Sequence, residues 1–185
     1  MCSMIIGIDL DQTLVYMEES VVKIAAKNTK TKSYPKRFDY NFSEFPEEMR
    51  KEIFRLFEDP IYMKRIVPLP GAVNKLNQWK KEGHKIVIIT ARDLSVEEVT
   101  REAVKKYFPM VDALHFVGIG NSKEVLFKSE KIDVWVDDNP KDVIASTKMG
   151  IRTCLISNSH TCYNWDIKGK VMAHVYTSVA DVNFY

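Results

Sequence analysis

Met4-Ile5-Ile6-Gly7-Ile8-Asp9-Leu10-Asp11-Gln12-Thr13 is the stretch that decides the fold. A short apolar run without a polar break reads as a strand buried on both faces, the kind that sits in the middle of a parallel sheet. It stops at an acid, and a second acid follows two residues later. Such a strand delivers the side chain at its C-terminal end to the rim of the sheet, where open α/β sheets bind ligands. Two carboxylates placed there share one small volume. Like charges so close are costly unless a shared proton or a cation relieves them, and hard divalent cations take oxygen ligands.

Similar runs follow along the chain. Residues 85–90 are rich in β-branched side chains and end in Thr90, and 132–138 end in the pair Asp137-Asp138. Weaker strand patterns lie at 112–117, 151–156 and 171–176. Helical patterns alternate with them. Pro70-Gly71 opens a helix over 72–81 with Val73, Leu76 and Trp79 on one face and Gly83 as its stop. Ser95 with Glu98 forms a capping-box pattern for a helix to about Tyr107. Ser122 is placed to cap a helix to about Lys128, and Asn139-Pro140 suits the start of another before Gly150. Strands alternating with helices predict parallel βαβ units in three layers, a doubly wound α/β fold.

Residues 14–67 break this alternation. They hold one helix after Glu18, a basic polar stretch, and a second helix opened by Pro46 and running to about Phe57. The expected organisation is an α/β core of residues 1–13 and 68–185, with a small helical cap of 14–67 inserted after the first strand.

The chain has 185 residues, 45% apolar and 28% charged, which excludes disordered and collagen-like classes. No apolar run approaches the roughly 20 residues of a membrane span, and no secretory leader is visible. The net charge of +2 does not by itself argue for nucleic acid. Cys2, Cys154 and Cys162 have no metal-type spacing and read as free thiols of a reducing cytoplasm. His84, His115, His160 and His174 form no pair at ligand spacing.

Asp9-Leu10-Asp11-Gln12-Thr13, then Ile88-Ile89-Thr90, Lys123 and Val136-Asp137-Asp138 together resemble, in order and spacing, the haloacid dehalogenase superfamily of phosphotransferases. The resemblance implies a role for each. Asp9 is the nucleophile that forms an aspartyl-phosphate, and Asp11 the acid and base that serves the leaving alcohol and then the water. Asp9, the Asp11 backbone carbonyl and Asp137 bind Mg2+, with Asp138 a ligand or its neighbour. Thr90 donates to the phosphate, and Lys123 offsets charge on it and on Asp9. Lys128 is the alternative lysine; it and Lys131 fall at the far end of their helix, where cations commonly offset the dipole. Arg92 on the loop after Thr90 suits a two-donor grip on phosphate. The motif's usual glycine after the second acid is replaced by Gln12. Dehalogenases of the superfamily lack an acid equivalent to Asp11, so a phosphatase is expected.

A closer resemblance is to the 5′(3′)-deoxyribonucleotidases, carried by Pro68-Leu69-Pro70-Gly71-Ala72, Ile89-Thr90-Ala91-Arg92, Tyr107-Phe108-Pro109 and Val136-Asp137-Asp138-Asn139-Pro140. It implies a nucleoside monophosphate as substrate and a cap that stacks the base. The cap segment holds Tyr34, Phe38, Tyr40, Phe42, Phe45, Phe54, Phe57 and Tyr62. Phe42, Phe45 and Phe57 are the expected base contacts, while Phe54 and Phe57, at helical spacing, also suit the cap's own core. Residues 27–37 carry five basic side chains and no acid. They are either a solvated loop or a seat for a nucleic-acid end, which would make the protein a polynucleotide 3′-phosphatase. A phosphoacceptor receiver domain, a regulator built with the same residue types, is the alternative of a different class; receivers lack an insertion like 14–67. Residues 157–160 read as a structural loop bordering the site.

Overall fold

The computed structural model describes residues 3–16, 18–36, 38–39, 41–158, 161–167 and 171–184. Cys2, Arg37, Tyr40, Ser159 and His160 lie outside the described residues, as does the side chain of Cys162.

In chain order the strands are β1 (Ile5–Ile8), β2 (Val15–Tyr16), β3 (Val67–Pro68), β4 (Lys85–Thr90), β5 (Ala113–Phe116), β6 (Val134–Asp137), β7 (Arg152–Ile156) and β8 (Ala173–Tyr176). Six of them form one sheet in the order β5-β4-β1-β6-β7-β8, with every neighbouring pair parallel. The chain winds from β1 to β4 and β5 on one side, then crosses to β6, β7 and β8 on the other. The direction of winding therefore reverses at β1–β6, and such a switch opens a crevice at the carboxyl ends of the strands. Asp9, Thr90 and Asp137 all stand there, on three adjacent strands. The ladder runs one residue past β1, where the Asp9 N–H donates to Val136 O at 3.0 Å. Gly7 is set by this central place: a Cβ on it would lie 2.7 Å from the Trp135 ring.

Helices α1 (Glu18–Asn28), α2 (Glu47–Phe57) and α3 (Pro60–Met63) belong to the segment between β2 and β3. Helices α4 (Ala72–Lys81), α5 (Glu97–Tyr107), α6 (Glu124–Ser129) and α7 (Pro140–Lys148) flank the sheet. One apolar cluster runs from α4 and the β1 side chains Ile6 and Ile8 into Met49, Ile53 and Leu56 of α2. A second, on the other face, packs Val87, Ile89 and Ile132 around Phe127 and Trp135, whose rings lie 4.6 Å apart. Two clusters on opposite faces make the three layers. Among the described residues no helix is long and apolar enough to cross a membrane. Cys154 is a free, buried thiol pushed up to about 12 by that burial, against the pull of Arg152.

Two local expectations are corrected. Ser95 does not cap α5. Asp93 accepts the Ser95 N–H at 2.8 Å and opens a 3-10 turn, Leu94–Val96, that leads into the helix; the Ser95 hydroxyl instead donates to Glu58 O, in the segment between β2 and β3. The ribbon of β2 and β3 was also not anticipated. Val15 pairs with Pro68 and Tyr16 with Val67, antiparallel, and Leu69 N–H donates to Leu14 O at 2.8 Å. Two residues per strand are too few for a period-two pattern to register, yet this ribbon is where the chain leaves the sheet and returns to it.

Candidate active site

The turn after β1 sets the geometry. Leu10 O accepts the N–H groups of both Leu14 (2.9 Å) and Val15 (3.0 Å), and Gln12 N–H donates to Val15 O at 2.8 Å. Closing so tight a loop forces Gln12 into the left-handed region, at φ 60°. A non-glycine residue there costs roughly 1 kcal/mol, which accounts for a glycine at this point of the motif. Gln12 accepts that cost, and the turn holds Asp9 and Asp11 at the rim.

One carboxylate oxygen from each of Asp9, Asp137 and Asp138 lies within 4.8 Å of the others, and all three residues are buried. Lys123 is their counterion. Its ammonium donates to Asp9 Oδ1 at 2.6 Å and to Asp137 Oδ2 at 3.1 Å, pairs with Asp142 Oδ2 at 3.2 Å, and lies 4.9 Å from the centre of the Trp135 ring. The lysine is only 1% exposed. It reaches the rim from the start of α6, where the Ser122 hydroxyl takes the Glu124 N–H. Lys128 and Lys131, the alternatives, are exposed.

Burial dominates the electrostatics. It pushes the Asp9 carboxyl up to about 6; Lys123 pulls the other way, and Asp11 and Asp142 push further up. Asp137 is driven well above the ordinary carboxylate range by the same burial, with Lys123 opposing and Asp9, Asp142 and Asp138 adding to it. For Lys123, burial favours the neutral amine, but Asp137, Asp9 and Asp142 together outweigh it and hold the ammonium charged. Three carboxylates thus surround one ammonium, with Asp138 beside two of them, and the excess negative charge is the kind that a hard divalent cation relieves.

Asp138 is held from three sides. Thr13 donates its hydroxyl to Oδ1 at 2.8 Å, Tyr163 donates its phenol to Oδ2, and Asn164 Nδ2 donates to the backbone carbonyl at 2.7 Å. Asn164 is fixed in turn by Ile156 O and by the Ser157 hydroxyl. Ser157, Tyr163 and Asn164 therefore frame an acid of this group.

Asp11 stands apart from the other acids. Its carboxylate is outside the three-acid group and receives Arg92 Nε at 2.8 Å and Nη2 at 2.7 Å, while Arg92 Nη1 donates to Thr100 at 2.9 Å. Arg92, expected to grip phosphate, is here occupied with Asp11, although both line the same cleft. Thr90, buried at the end of β4, accepts the Arg92 N–H at 3.2 Å and so aids that placement.

The cleft encloses about 720 Å³ when the solvent in its open mouth is counted. Asp9, Asp11, Arg92, Asp138 and Asn139 line its floor; Phe42, Phe54, Phe57, Met63 and Ile119 supply its apolar walls. Phe42 and Phe57, two of the expected base contacts, line the cleft. Phe45 does not line it. The ring is buried against Tyr34, Phe38 and Phe42 at 6.0, 5.4 and 5.7 Å between centroids, within the apolar cluster that also holds α2. Phe54 takes a place on the wall that helical spacing alone had left with the core. Phe42 has φ 55°, a strained backbone at a residue that faces the cleft.

Asp142, Tyr163 and Ile119 were not singled out from sequence. Asp142 sits in the first turn of α7, where an acid ordinarily just complements the helix dipole. Tyr163 and Ile119 lie in irregular segments whose periodicity carries no signal.

The chain is 25% identical over 163 residues to Putative nucleotidase OB0422 of Oceanobacillus iheyensis, covering 83% of this chain and 87% of that one. It is 27% identical over 143 residues to a Bacillus cereus protein that carries the same name without the locus number, covering 72% and 76%. Among solved structures it is similar to the haloacid dehalogenase-like family hydrolase SP0104 of Streptococcus pneumoniae, with TM-score 0.63, 13% identity and 94% of each chain covered. It is also similar to a family IA, variant 3 hydrolase of Entamoeba histolytica, with TM-score 0.66, 15% identity and coverage of 98% and 96%. At those identities the structures speak for the fold. The family model described as 5′ nucleotidase, deoxy (pyrimidine), cytosolic type C protein (NT5C) matches residues 3–183. Nearly the whole chain therefore belongs to that nucleotidase family, and the protein is a phosphatase of haloacid dehalogenase fold.

Proposed function

We propose that the protein hydrolyses nucleoside monophosphates with Mg2+, through a phosphoryl group carried transiently on Asp9, under a cap formed by residues 14–67. The observation that carries this reading is the buried meeting of Asp9, Asp137 and Asp138 with Lys123. The donor set is all carboxylate oxygen, and its excess negative charge fits a hard divalent cation. Asp9, Asp137, Asp138 and the Asp11 carbonyl would hold Mg2+, which screens the repulsion between an anionic nucleophile and an anionic phosphate.

The side chains supply the remaining chemistry. A carboxylate oxygen of Asp9 bonds to phosphorus as the bond to the leaving oxygen breaks, and Asp11 gives that oxygen a proton. Water then attacks phosphorus, Asp11 takes its proton, and the Asp9–phosphorus bond breaks. Both Asp11 oxygens are held by Arg92. An arriving phosphate draws part of the guanidinium away and frees one oxygen for proton transfer, so Arg92 serves phosphate and acid in turn. Lys123 keeps Asp9 aimed and balances charge on the phosphate.

The leaving group lies against Phe42, Phe54 and Phe57. Stacking of a base on an aromatic ring contributes roughly 1–3 kcal/mol. Nucleoside monophosphates are therefore expected to outrun ribose 5-phosphate, and Phe54→Ala to lower kcat/KM on the nucleotide by roughly 5- to 150-fold with little effect on the sugar phosphate. The test is a panel of ribo- and deoxyribonucleoside 5′- and 3′-monophosphates, sugar phosphates and a 3′-phosphorylated oligonucleotide, with and without EDTA. A faster sugar phosphate would end the nucleotide assignment while leaving the phosphatase. A preference for the oligonucleotide, with steep salt dependence, would point to exposed Lys27, Lys30, Lys32 and Lys36 as a nucleic-acid seat. A single stoichiometric burst with p-nitrophenyl phosphate would make the protein receiver-like. We place the activity in the cytoplasm, in keeping with the free thiol of Cys154.

The cation reading has its own check. Folded Asp9 keeps its proton up to about pH 6, against a value of 3.8 for an ordinary aspartate. Between those values the folded state binds more protons than the unfolded one, so this group makes the metal-free protein less stable as pH rises through that window. A cation replaces the proton. Mg2+ is thus expected to raise Tm clearly at pH 7.5 and little at pH 4.5. Equal shifts at both pH values would mean that the ion binds elsewhere.

A further inference from the structure

The phenol of Tyr163 is the least expected contact in the site, and it joins two parts of the chain that are far apart in sequence. Its hydroxyl donates to Asp138 Oδ2. Its ring lies 6.4 Å from the Phe38 ring, tilted by 36°. Phe38 belongs to the cap segment and packs edge-on to Phe45 at 5.4 Å and stacked on Phe42 at 5.2 Å, and Phe42 is a wall of the cleft. An unbroken series of contacts thus runs from an acid of the three-carboxylate group, through Tyr163 and Phe38, to a ring that faces the leaving group.

The anchoring of Tyr163 supports a positioning task. The residue rides on the 3-10 turn Cys162–Ile167. The next residue, Asn164, is fully buried and bonds the Asp138 backbone carbonyl at 2.7 Å and Ile156 O at 2.7 Å, while the Ser157 hydroxyl donates to it at 2.6 Å. The turn is therefore pinned to the same residue whose carboxylate the phenol holds. Thr13, from the turn after β1, takes the other oxygen of that carboxylate at 2.8 Å. Two hydroxyls, one from each side, set the plane of the Asp138 carboxylate. Groups that orient a ligating carboxylate in this way tune metal affinity although they never touch the ion.

We propose that Tyr163 is a positioning residue that orients Asp138 toward the cation and, through Phe38, couples occupancy of the cation site to the seating of the cap. This rests on the reading that Asp138 holds the cation. When the ion draws on Asp138, the phenol keeps the second oxygen in place; when the cap shifts, the Phe38 contact moves the phenol.

The test uses Mn2+ as the probe, with binding to the full chain read by electron paramagnetic resonance without substrate. Tyr163→Phe keeps the ring and its packing and deletes only the hydroxyl, and it is expected to bind Mn2+ about 10-fold more weakly, within the range seen when such supporting groups are lost. Its Tm in EDTA should match that of the unaltered protein. Phe38→Leu, which leaves the hydroxyl untouched, should weaken Mn2+ binding in the same direction by a smaller factor. Hydrogen exchange at the amides flanking Phe38 should slow on Mn2+ saturation in the unaltered protein and not in Tyr163→Phe. Asp138→Asn separates the two levels of the argument. If Asp138→Asn binds Mn2+ normally, the cation site itself has been misplaced. If Asp138→Asn is weakened and Tyr163→Phe is not, or if saturated Tyr163→Phe still protects the cap, the positioning role is overturned and the site stands.

Discussion

Asp9→Asn is expected to lose turnover by about 10⁴-fold or more and to keep its fold. The amide is close in shape to the carboxylate, so its carbonyl oxygen can still receive the Lys123 ammonium that Asp9 Oδ1 receives at 2.6 Å. What it lacks is an anionic oxygen that can bond to phosphorus. A 10⁴-fold loss corresponds to about 5.5 kcal/mol of transition-state stabilisation, far more than one lost hydrogen bond supplies. The substitution also removes one of the three carboxylates around a single ammonium. Since burial already pushes Asp9 toward its neutral form, a neutral group there should leave Tm in EDTA unchanged or slightly higher. Steady-state turnover and thermal unfolding of the same preparation provide the check. Retained turnover would take the nucleophile's role from Asp9; lost turnover with a collapsed Tm would show only that the residue is structural.

Lys123→Met tests the opposite charge, and here stability falls along with activity. The methionine follows the path of the lysine stem but leaves Asp9, Asp137 and Asp142 buried without their shared ammonium. Removing one partner of a buried ion pair costs about 3–5 kcal/mol, a large share of the roughly 5–15 kcal/mol that holds a domain of ordinary size together. Urea denaturation in EDTA measures it. Mg2+ is expected to recover part of the loss, because a second source of positive charge then reaches the same acids. The phosphatase rate should fall with or without that recovery, since the ammonium also aims Asp9. Wild-type stability and rate in this variant would move the counterion role to another residue. Lys128 and Lys131, both exposed, are poorly placed to take it.

The two substitutions pull stability in different directions for one reason. The site is over-supplied with negative charge on buried side chains. Taking away an anion relieves it, and taking away the cation aggravates it.

The parts of this site that were legible in the sequence share a physical cause. Asp9, Thr90 and Asp137 each end or directly follow an apolar run buried on both faces, and such a run announces its own C-terminal edge. Once β1 is central, those side chains share a rim whatever the details of packing. Lys123 was legible because it starts a helix whose other lysines lie at the far end. Gln12 was marked by the motif, and the left-handed backbone found there is the geometry that a glycine ordinarily serves. Contacts that join distant segments were not legible. Nothing in the spacing of Asp11 and Arg92 foretells a bidentate pair across 81 positions. Nor does the helical phase of Phe54 say which of two buried directions, core or cleft, its ring takes.

From the amino-acid order alone come the parallel sheet, its C-terminal rim and the acids that stand on it, because hydrophobic periodicity and strand ends are local properties that each segment carries by itself. The tertiary structure alone decides that Arg92 clasps Asp11, that Phe54 lines the cleft and Phe45 does not, that Asp142 shares the lysine, and that Tyr163 touches both Asp138 and Phe38. Those are pairwise contacts between side chains far apart in the chain, and they take definite distances and partners only when the packed core has brought the segments together.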